Sequence, residues 1–412
     1  MAYQSAGVQF VKLENAPRQD FEAVERKGVG HPDTLSDALA EELSRVYSNY
    51  TLSNFGAVLH HNFDKVGLLG GASHVEFGKG YLTRPIRVLL NGRASWRFGD
   101  VEIPLKHMLE RTASDFLVRY FPTMNPEKDI EIHYNMSSAS SPGKVDETAK
   151  KEGTRKRWFE PRGLDDLREL KFLASNDTSL GCGYAPLSQV ERLVLEIEGL
   201  LNSPDYKKSN PWIGSDIKVM ASRVGEQLDV TMCVPQIADH VPNIEAYQRN
   251  LKQAEEDAKK IMEKYFDKKA SLRLNTRDDF EACELYLTAL GSSIESGDEG
   301  LVGRGNRING LITPCRPMSI EGACGKNPVY HIGKLYNIAA REIAEHVSTR
   351  TGHYTEVYLI SQSGRLLEDP WKTLVVSEAV PETDEIPDIV YEGLKDIHKI
   401  TGRLLKGEVR LF

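Results

Sequence analysis

The chain is poor in cysteine: five in 412 residues, Cys182, Cys233, Cys283, Cys315 and Cys324, an odd number with no C-x-x-C pair. That argues against a disulfide framework and a thiolate zinc site, and a reducing compartment, the cytoplasm, is expected. No run approaches the roughly 20 apolar residues that span a bilayer. The first twenty residues also lack the basic-then-apolar pattern of a secretory signal, so neither membrane insertion nor export is expected. Positive charge is not in excess: the formal net charge is -8, which argues against a nucleic-acid partner and requires any basic site to be local. The common phosphate-binding fingerprints are missing too. There is no G-x-x-x-x-G-K-[ST], and Gly303-x-Gly305 is not completed, because Ile308 stands where the third Rossmann glycine would be. No Ser/His/Asp set for nucleophilic catalysis stands out either.

What is present is an ordinary globular composition, 40% hydrophobic and 27% charged, in a chain long enough for two or three domains. Its most unusual stretch is 297–337, GDEGLVGRGNRINGLITPCRPMSIEGACGKNPVYHIGKLYN, which has neither a helical nor a strand period. Asp298 suits a cation or a hydroxyl, Arg304, Arg307, Arg316, Lys326 and Lys334 suit an anion, and the glycines let backbone approach a ligand. Interleaved Leu301, Ile308, Leu311, Ile312 and Val329 argue against disorder, and an irregular connection this long is more often functional than a plain surface loop.

The rest of the chain reads as alternating hairpins and helices. VERKGVGHPDTLSDALAEELSRVYSNY opens with a Gly-His-Pro-Asp turn and continues as a helix with Leu35, Leu39, Leu43, Val46 and Tyr47 on one stripe. His31 and Asp33 then sit at the helix's positive end, where an anion is favoured, although Asp33 alone also suits a plain helix start. FGAVLHHNFDKVGLLGG predicts two strands, and PIRVLLNGRASWRFGDVEI a hairpin turning at Asn91-Gly92. His60 and His61 are adjacent and point to opposite faces of a strand, which is poor geometry for one shared metal. A helix over 105–121, the strand IEIHYNM and a polar loop through Ser137 to Lys144 follow. Ser188 and Glu191 form a capping box before a helix, with the turn Asn176-Asp177-Thr178 ahead of it. SDIKVMASRVGEQLDVTMCVP is a hairpin that places Lys218 among apolar neighbours. Helices are expected over 243–266, 333–346 and within 386–406, with strands near 270–275 and 284–292 and at EVYLISQ. This rhythm favours two-layer α+β architecture over βαβ alternation.

GVGHPDTLSDALAEELS, HHNFDKVGLLGG, SNDTSLGCGYAPLS and GDEGLVGRGNRINGLITPCRPMS with GKNPVYHIGKLYN resemble, in this order, the methionine adenosyltransferase (S-adenosylmethionine synthetase) family, specifically its archaeal-type branch. The resemblance spans nearly the whole chain. It implies an α+β fold of three similar two-layer domains intertwined in sequence, approximately 20–140, 165–268 and 269–412, and a homodimer with active sites between subunits. It also implies the conversion of ATP, L-methionine and water to S-adenosylmethionine, phosphate and diphosphate with Mg²⁺. A catalytically silent nucleotide-binding relative and a methionine-independent triphosphatase are the rival readings.

Carried over position by position, the resemblance implies catalytic roles for His31, Lys218, Arg304 and Lys326. His31 matches a contact to the triphosphate near the bond broken at C5', and Asp33 a magnesium ligand. Asp177 matches an active-site aspartate, and Asp216 and Lys218 an ATP-contacting segment. Asp298 matches the aspartate shared by nucleotide and methionine, Arg304 a phosphate-binding arginine, Lys326 an ATP contact and Lys334 a lysine near methionine and phosphates. The chain departs from the bacterial and eukaryotic pattern in several places. Gly305 stands where those enzymes carry a second lysine, with Arg307 as the expected substitute. Their second magnesium aspartate falls near Tyr336 or Asn337. Their potassium-site glutamate falls near His61, which leaves K⁺ dependence open. Methionine-pocket residues are expected around Ala72 to Glu76 and in the 137–144 loop, with Ser140 and Gly143 as candidates.

Overall fold

The computed structural model describes residues 2–5, 7–14, 20–138, 156–266, 270–378 and 385–412, so Ser140 and Gly143 lie outside the described residues. Apolar side chains collect in three separate cores, and each core lies between a mixed sheet and its helices. In the first body, helices α1 (Pro32–Phe55) and α2 (Leu105–Tyr120) cover strands Ile130–Ser137, Ile86–Ala94, Gly67–Leu69 and Gly300–Leu301, taken in sheet order. Of the predicted stripe, Leu35, Leu39, Leu43 and Tyr47 are fully buried there, while Val46 is only partly buried. In the second, α3 (Gln189–Leu201) and α4 (Ile244–Tyr265) cover Ala270–Leu274, Gln227–Cys233, Lys218–Val224 and Phe21–Lys27. In the third, α5 (Ile332–Thr351), α6 (Glu385–Lys395) and α7 (Ile397–Lys406) pack on Ala2–Ser5, Val8–Lys12, Lys372–Ser377, Thr355–Ile360 and Leu180–Ala185. The fold is therefore α+β, with three two-layer bodies.

The bodies are laced together by exchanged strands. Phe21–Lys27, which precedes α1, pairs with Lys218–Val224 of the second body. Leu180–Ala185, which precedes α3, pairs with Thr355–Ile360 of the third. Gly300–Leu301, which precedes α5, pairs with Gly67–Leu69 of the first. The contiguous ranges 20–140, 165–268 and 269–412 consequently do not coincide with the bodies. The backbone N–H and C=O groups of each exchanged strand find their partners hundreds of residues away or in the next unit, because an unpaired buried peptide is costly.

Local chemistry explains most elements. Ser188 and Glu191 form the expected capping box of α3, and the Asn243 side chain caps α4 by accepting the Ala246 N–H. Three expectations are corrected. Asn91-Gly92 is not a turn: strand Ile86–Ala94 runs through it, paired in parallel with Ile130–Ser137, and Asn135 donates to the Asn91 side chain. Gly92 is needed there because a Cβ would collide with the Asn62 carbonyl of the adjoining strand. The strand expected over 284–292 shrinks to Leu287–Thr288, and the terminal helix breaks at Asp396 into α6 and α7. Among the described residues no helix is long and apolar enough to cross a membrane.

Candidate functional site

The site grows from the polar face of α1. Pro32 opens the helix, where its missing N–H costs nothing. His31 caps it, its Nδ1 accepting the Asp33 N–H at 3.1 Å. A ring nitrogen that accepts a backbone N–H carries no proton, so His31 is a neutral imidazole whose Nε2–H is the free donor. Burial holds its pKa below the ordinary histidine value, against the opposing pull of Asp216 and Asp33.

Three acids four residues apart, Asp33, Asp37 and Glu41, project from one side of α1 and each accepts a backbone N–H of the glycine-rich loop. Asp33 Oδ1 takes Leu301 N at 3.0 Å, Asp37 Oδ1 takes Gly303 N at 2.8 Å, and a Glu41 carboxylate oxygen takes Gly325 N at 3.0 Å. At about 1.5 Å of rise per residue this ladder runs roughly 12 Å along the helix. Side chains are excluded where loop and helix touch. A Cβ at Gly300 would overlap the Pro32 carbonyl, and one at Gly305 would overlap Asp37 Oδ2. The second contact leaves no room for a side chain at 305 while Asp37 keeps its place.

The cations divide into two groups. At the start of α1, Lys27 Nζ lies 2.8 Å from Asp33 and 2.9 Å from the Arg304 carbonyl, while Lys218 pairs with Glu25 at 3.1 Å. Asn306 ties Lys27 to the loop by accepting its N–H and donating to its carbonyl. Asp216 is buried behind them and accepts from the Ser293 N–H and hydroxyl and from the Tyr286 hydroxyl. Burial raises its pKa, with His31 in partial opposition. Farther along α1, Lys326 pairs with Glu321 at 2.8 Å, and Lys334, with no exposed surface, pairs with Glu41 at 2.6 Å. Lys334 is thus committed to the ladder rather than presented at a surface. Arg307 does not project as a free cation either, since its guanidinium donates to the Gly303 and Gly305 carbonyls at 2.6 and 2.7 Å.

Arg304 and Asp298 are exposed on the loop, and Asp298 Oδ1 accepts the Glu299 N–H. Asp177 lines a cleft of about 310 Å³ with Asn62, Arg93, His60, Tyr330 and His331. His61, where a potassium ligand falls in the resembling enzymes, is fully buried and has both ring nitrogens hydrogen-bonded, to Ser44 and Leu59. Tyr336 packs in the third core, and Asn337 bonds Cys182 N and the Gly333 carbonyl.

Sequence reasoning passed over Lys27, Asp37, Glu41 and His331. The four-residue spacing of Asp33, Asp37 and Glu41 was the signal for the ladder. Nothing local marks His331, whose Nδ1 is buried without a partner among the described residues. Burial, with Lys326 and Lys334 adding to it, keeps its pKa well below the usual histidine value.

Comparisons with known proteins bear on the family and the fold. The family model for S-adenosylmethionine synthetase (AdoMet synthetase) matches residues 5–155 and 160–408. The S-adenosylmethionine synthase of Haloarcula marismortui is 37% identical over 407 residues, covering 96% of both chains. The probable S-adenosylmethionine synthase of Aquifex aeolicus is 40% identical over 402 residues at the same coverage. A solved structure, an unusual S-adenosylmethionine synthetase from Campylobacter jejuni, superposes with a TM-score of 0.56 over 93% of each chain at 12% identity, which speaks for the fold alone. With the family model matched across nearly its full length and relatives this similar over almost all of theirs, the chain belongs to the S-adenosylmethionine synthetase family of transferases.

Proposed function

We propose that the chain joins ATP and L-methionine by in-line attack of the methionine sulfur on ATP C5', and then hydrolyses the triphosphate to phosphate and diphosphate. The thioether sulfur has a lone pair and no proton to lose, so the attack needs neither a general base nor a protein nucleophile. What needs help is the leaving triphosphate, and preorganised donors and cations placed where charge develops supply that help. The His31 Nε2–H is a fixed donor for a departing oxygen. Lys218, Arg304 and Lys326 stabilise the negative charge of the phosphate chain, and Asp298 orients nucleotide and methionine. Asp177 and the buried Asp216 complete the substrate surroundings, with Asp216 steadying His31.

Asp33, whose Oδ1 accepts the Leu301 N–H and whose Oδ2 accepts the Lys27 ammonium, is the carboxylate that would hold Mg²⁺ in place of that ammonium. A hard oxygen donor at the start of α1 fits an ion that takes one or two carboxylates and draws its remaining ligands from phosphates and water. When bound, the ion supplies neutralisation of phosphate charge. Both His61 nitrogens are occupied, so no monovalent-cation ligand is assigned there. A homodimer with the cleft at Asp177 closed by the second subunit completes this reading.

The observation that carries the proposal is the exposed Arg304 on a loop held by backbone bonds along α1, beside Lys27 and Lys218 and a helix start capped by a neutral histidine. Purified protein given Mg-ATP and methionine should release S-adenosylmethionine, phosphate and diphosphate in equal amounts. Phosphate and diphosphate without S-adenosylmethionine, or ATP turnover indifferent to methionine, would refute it in favour of a triphosphatase.

A further inference from the structure

We propose that Asp37 is a positioning residue for Arg304: its carboxylate fixes the 303–305 backbone, and through it the angle at which Arg304 meets the phosphate chain. The inference rests on the phosphate role of Arg304 given above. Asp37 itself faces no cleft in which substrates were placed, and its side chain is almost wholly buried against the loop.

The peptides on both sides of Arg304 are held. On one side Gly303 donates its N–H to Asp37 Oδ1 at 2.8 Å. On the other, Gly305 lies so close to Asp37 Oδ2 that any Cβ would strike it, and the Gly305 N–H favours the ionised carboxylate. Arg307 braces the same two residues from their carbonyls, and the Arg304 carbonyl accepts the Lys27 ammonium. The side chain of Arg304 is left exposed on a backbone fixed at each flank. A long guanidinium that must meet one phosphate group gains most when its own Cα is immobile, because less freedom is lost on contact.

Asp37 Oδ2 is buried and has no hydrogen-bond partner meeting full geometry among the described residues. It lines a small pocket of about 40 Å³ with Arg307, Cys324, Asn337 and Arg341. The charged and titratable groups around it are Asp33 and Glu41 on α1, Arg307 and Glu321 on the loop, Cys324 beside Gly325, and Lys334 and Arg341 on α5. Burial dominates these and pushes the carboxyl up to about 7.

A double-mutant cycle on the full-length protein tests the assignment, with Asp37→Asn, Arg304→Ala and both together. In the Arg304→Ala background Asp37→Asn should change kcat/KM for ATP by less than about 2-fold, whereas alone it should lower it by about 10-fold or more, since groups that act through one another are not additive. Equal effects of Asp37→Asn in both backgrounds would overturn the assignment. Should Asp37→Asn fail to fold, Arg307→Lys in the same cycle reads the same clamp from its other side, and additivity there would overturn it. Near-normal activity of Arg304→Ala would instead refute the phosphate role of Arg304, a distinct failure.

Discussion

At the scale of single residues, charge decides what each substitution does. Lys326→Ala and Asp298→Asn are each expected to lower S-adenosylmethionine formation by about 100-fold or more, in the range seen when one preorganised donor is removed. Circular dichroism should stay unaltered, and near-normal turnover in either variant would remove that residue from the site. Asp33→Asn should raise the Mg²⁺ concentration needed for half-maximal rate, and a superimposable Mg²⁺ titration would argue against its metal role. Asp37 also links pH to stability. Its folded carboxyl titrates near 7 against an ordinary 3.8, so the native state keeps a proton that the unfolded chain releases. Stability from this group is therefore full below about pH 4 and is lost as pH rises to about 7. In urea titrations Asp37→Asn should flatten that slope; an equal slope in both proteins would contradict the assignment. Most of these residues were legible as types, since GHPD, NDTS, SDIK and GDEGLVGR are dense in groups that suit a phosphate site. Their states were not. That His31 is a fixed Nε2–H donor and that Arg307 is spent on loop carbonyls depends on how the backbone beside each residue turns, and that Lys334 is spent on Glu41 depends on a partner distant in sequence.

At the scale of elements, α1 organises the site with one face in a core and the other as a row of acids for loop N–H groups. Such a contact tolerates no added volume. Gly300→Ala should destabilise the protein by about 1–3 kcal/mol or more, because the new Cβ would enter the space of the Pro32 carbonyl and backbone must move. Activity should fall with it; an unshifted thermal midpoint would mean the loop does not sit on the helix as described. The helix itself was readable from its 3.6-residue stripe and Pro32. The loop's course was not, because a run without periodicity says nothing about what its N–H groups bond. Asn91-Gly92 teaches the same lesson in reverse: a strong local turn signal yielded to a parallel strand partner on one side and the Asn62 carbonyl on the other.

At the scale of the whole molecule, the exchanged strands make the three bodies interdependent. Arg26, on the exchanged strand Phe21–Lys27, pairs with Glu198 of α3 at 2.6 Å and donates to the Gly310 carbonyl, so one buried cation joins strand, helix and loop. Glu198→Ala should cost about 3–5 kcal/mol, since it leaves that charge buried and unpaired. Unfolding should follow one cooperative transition, with calorimetric and van't Hoff enthalpies equal, and separate transitions for the three bodies would contradict the interlacing. The sequence by itself determined the composition of the site, the two-layer α+β class and the family, because residue types, capping signals and periodicities are local properties written in order. Only the tertiary structure decided which strand completes which sheet, which cations remain free, and where the acids of α1 send their hydrogen bonds. Those outcomes rest on backbone groups and buried charges finding partners far along the chain, and no local pattern records a partner.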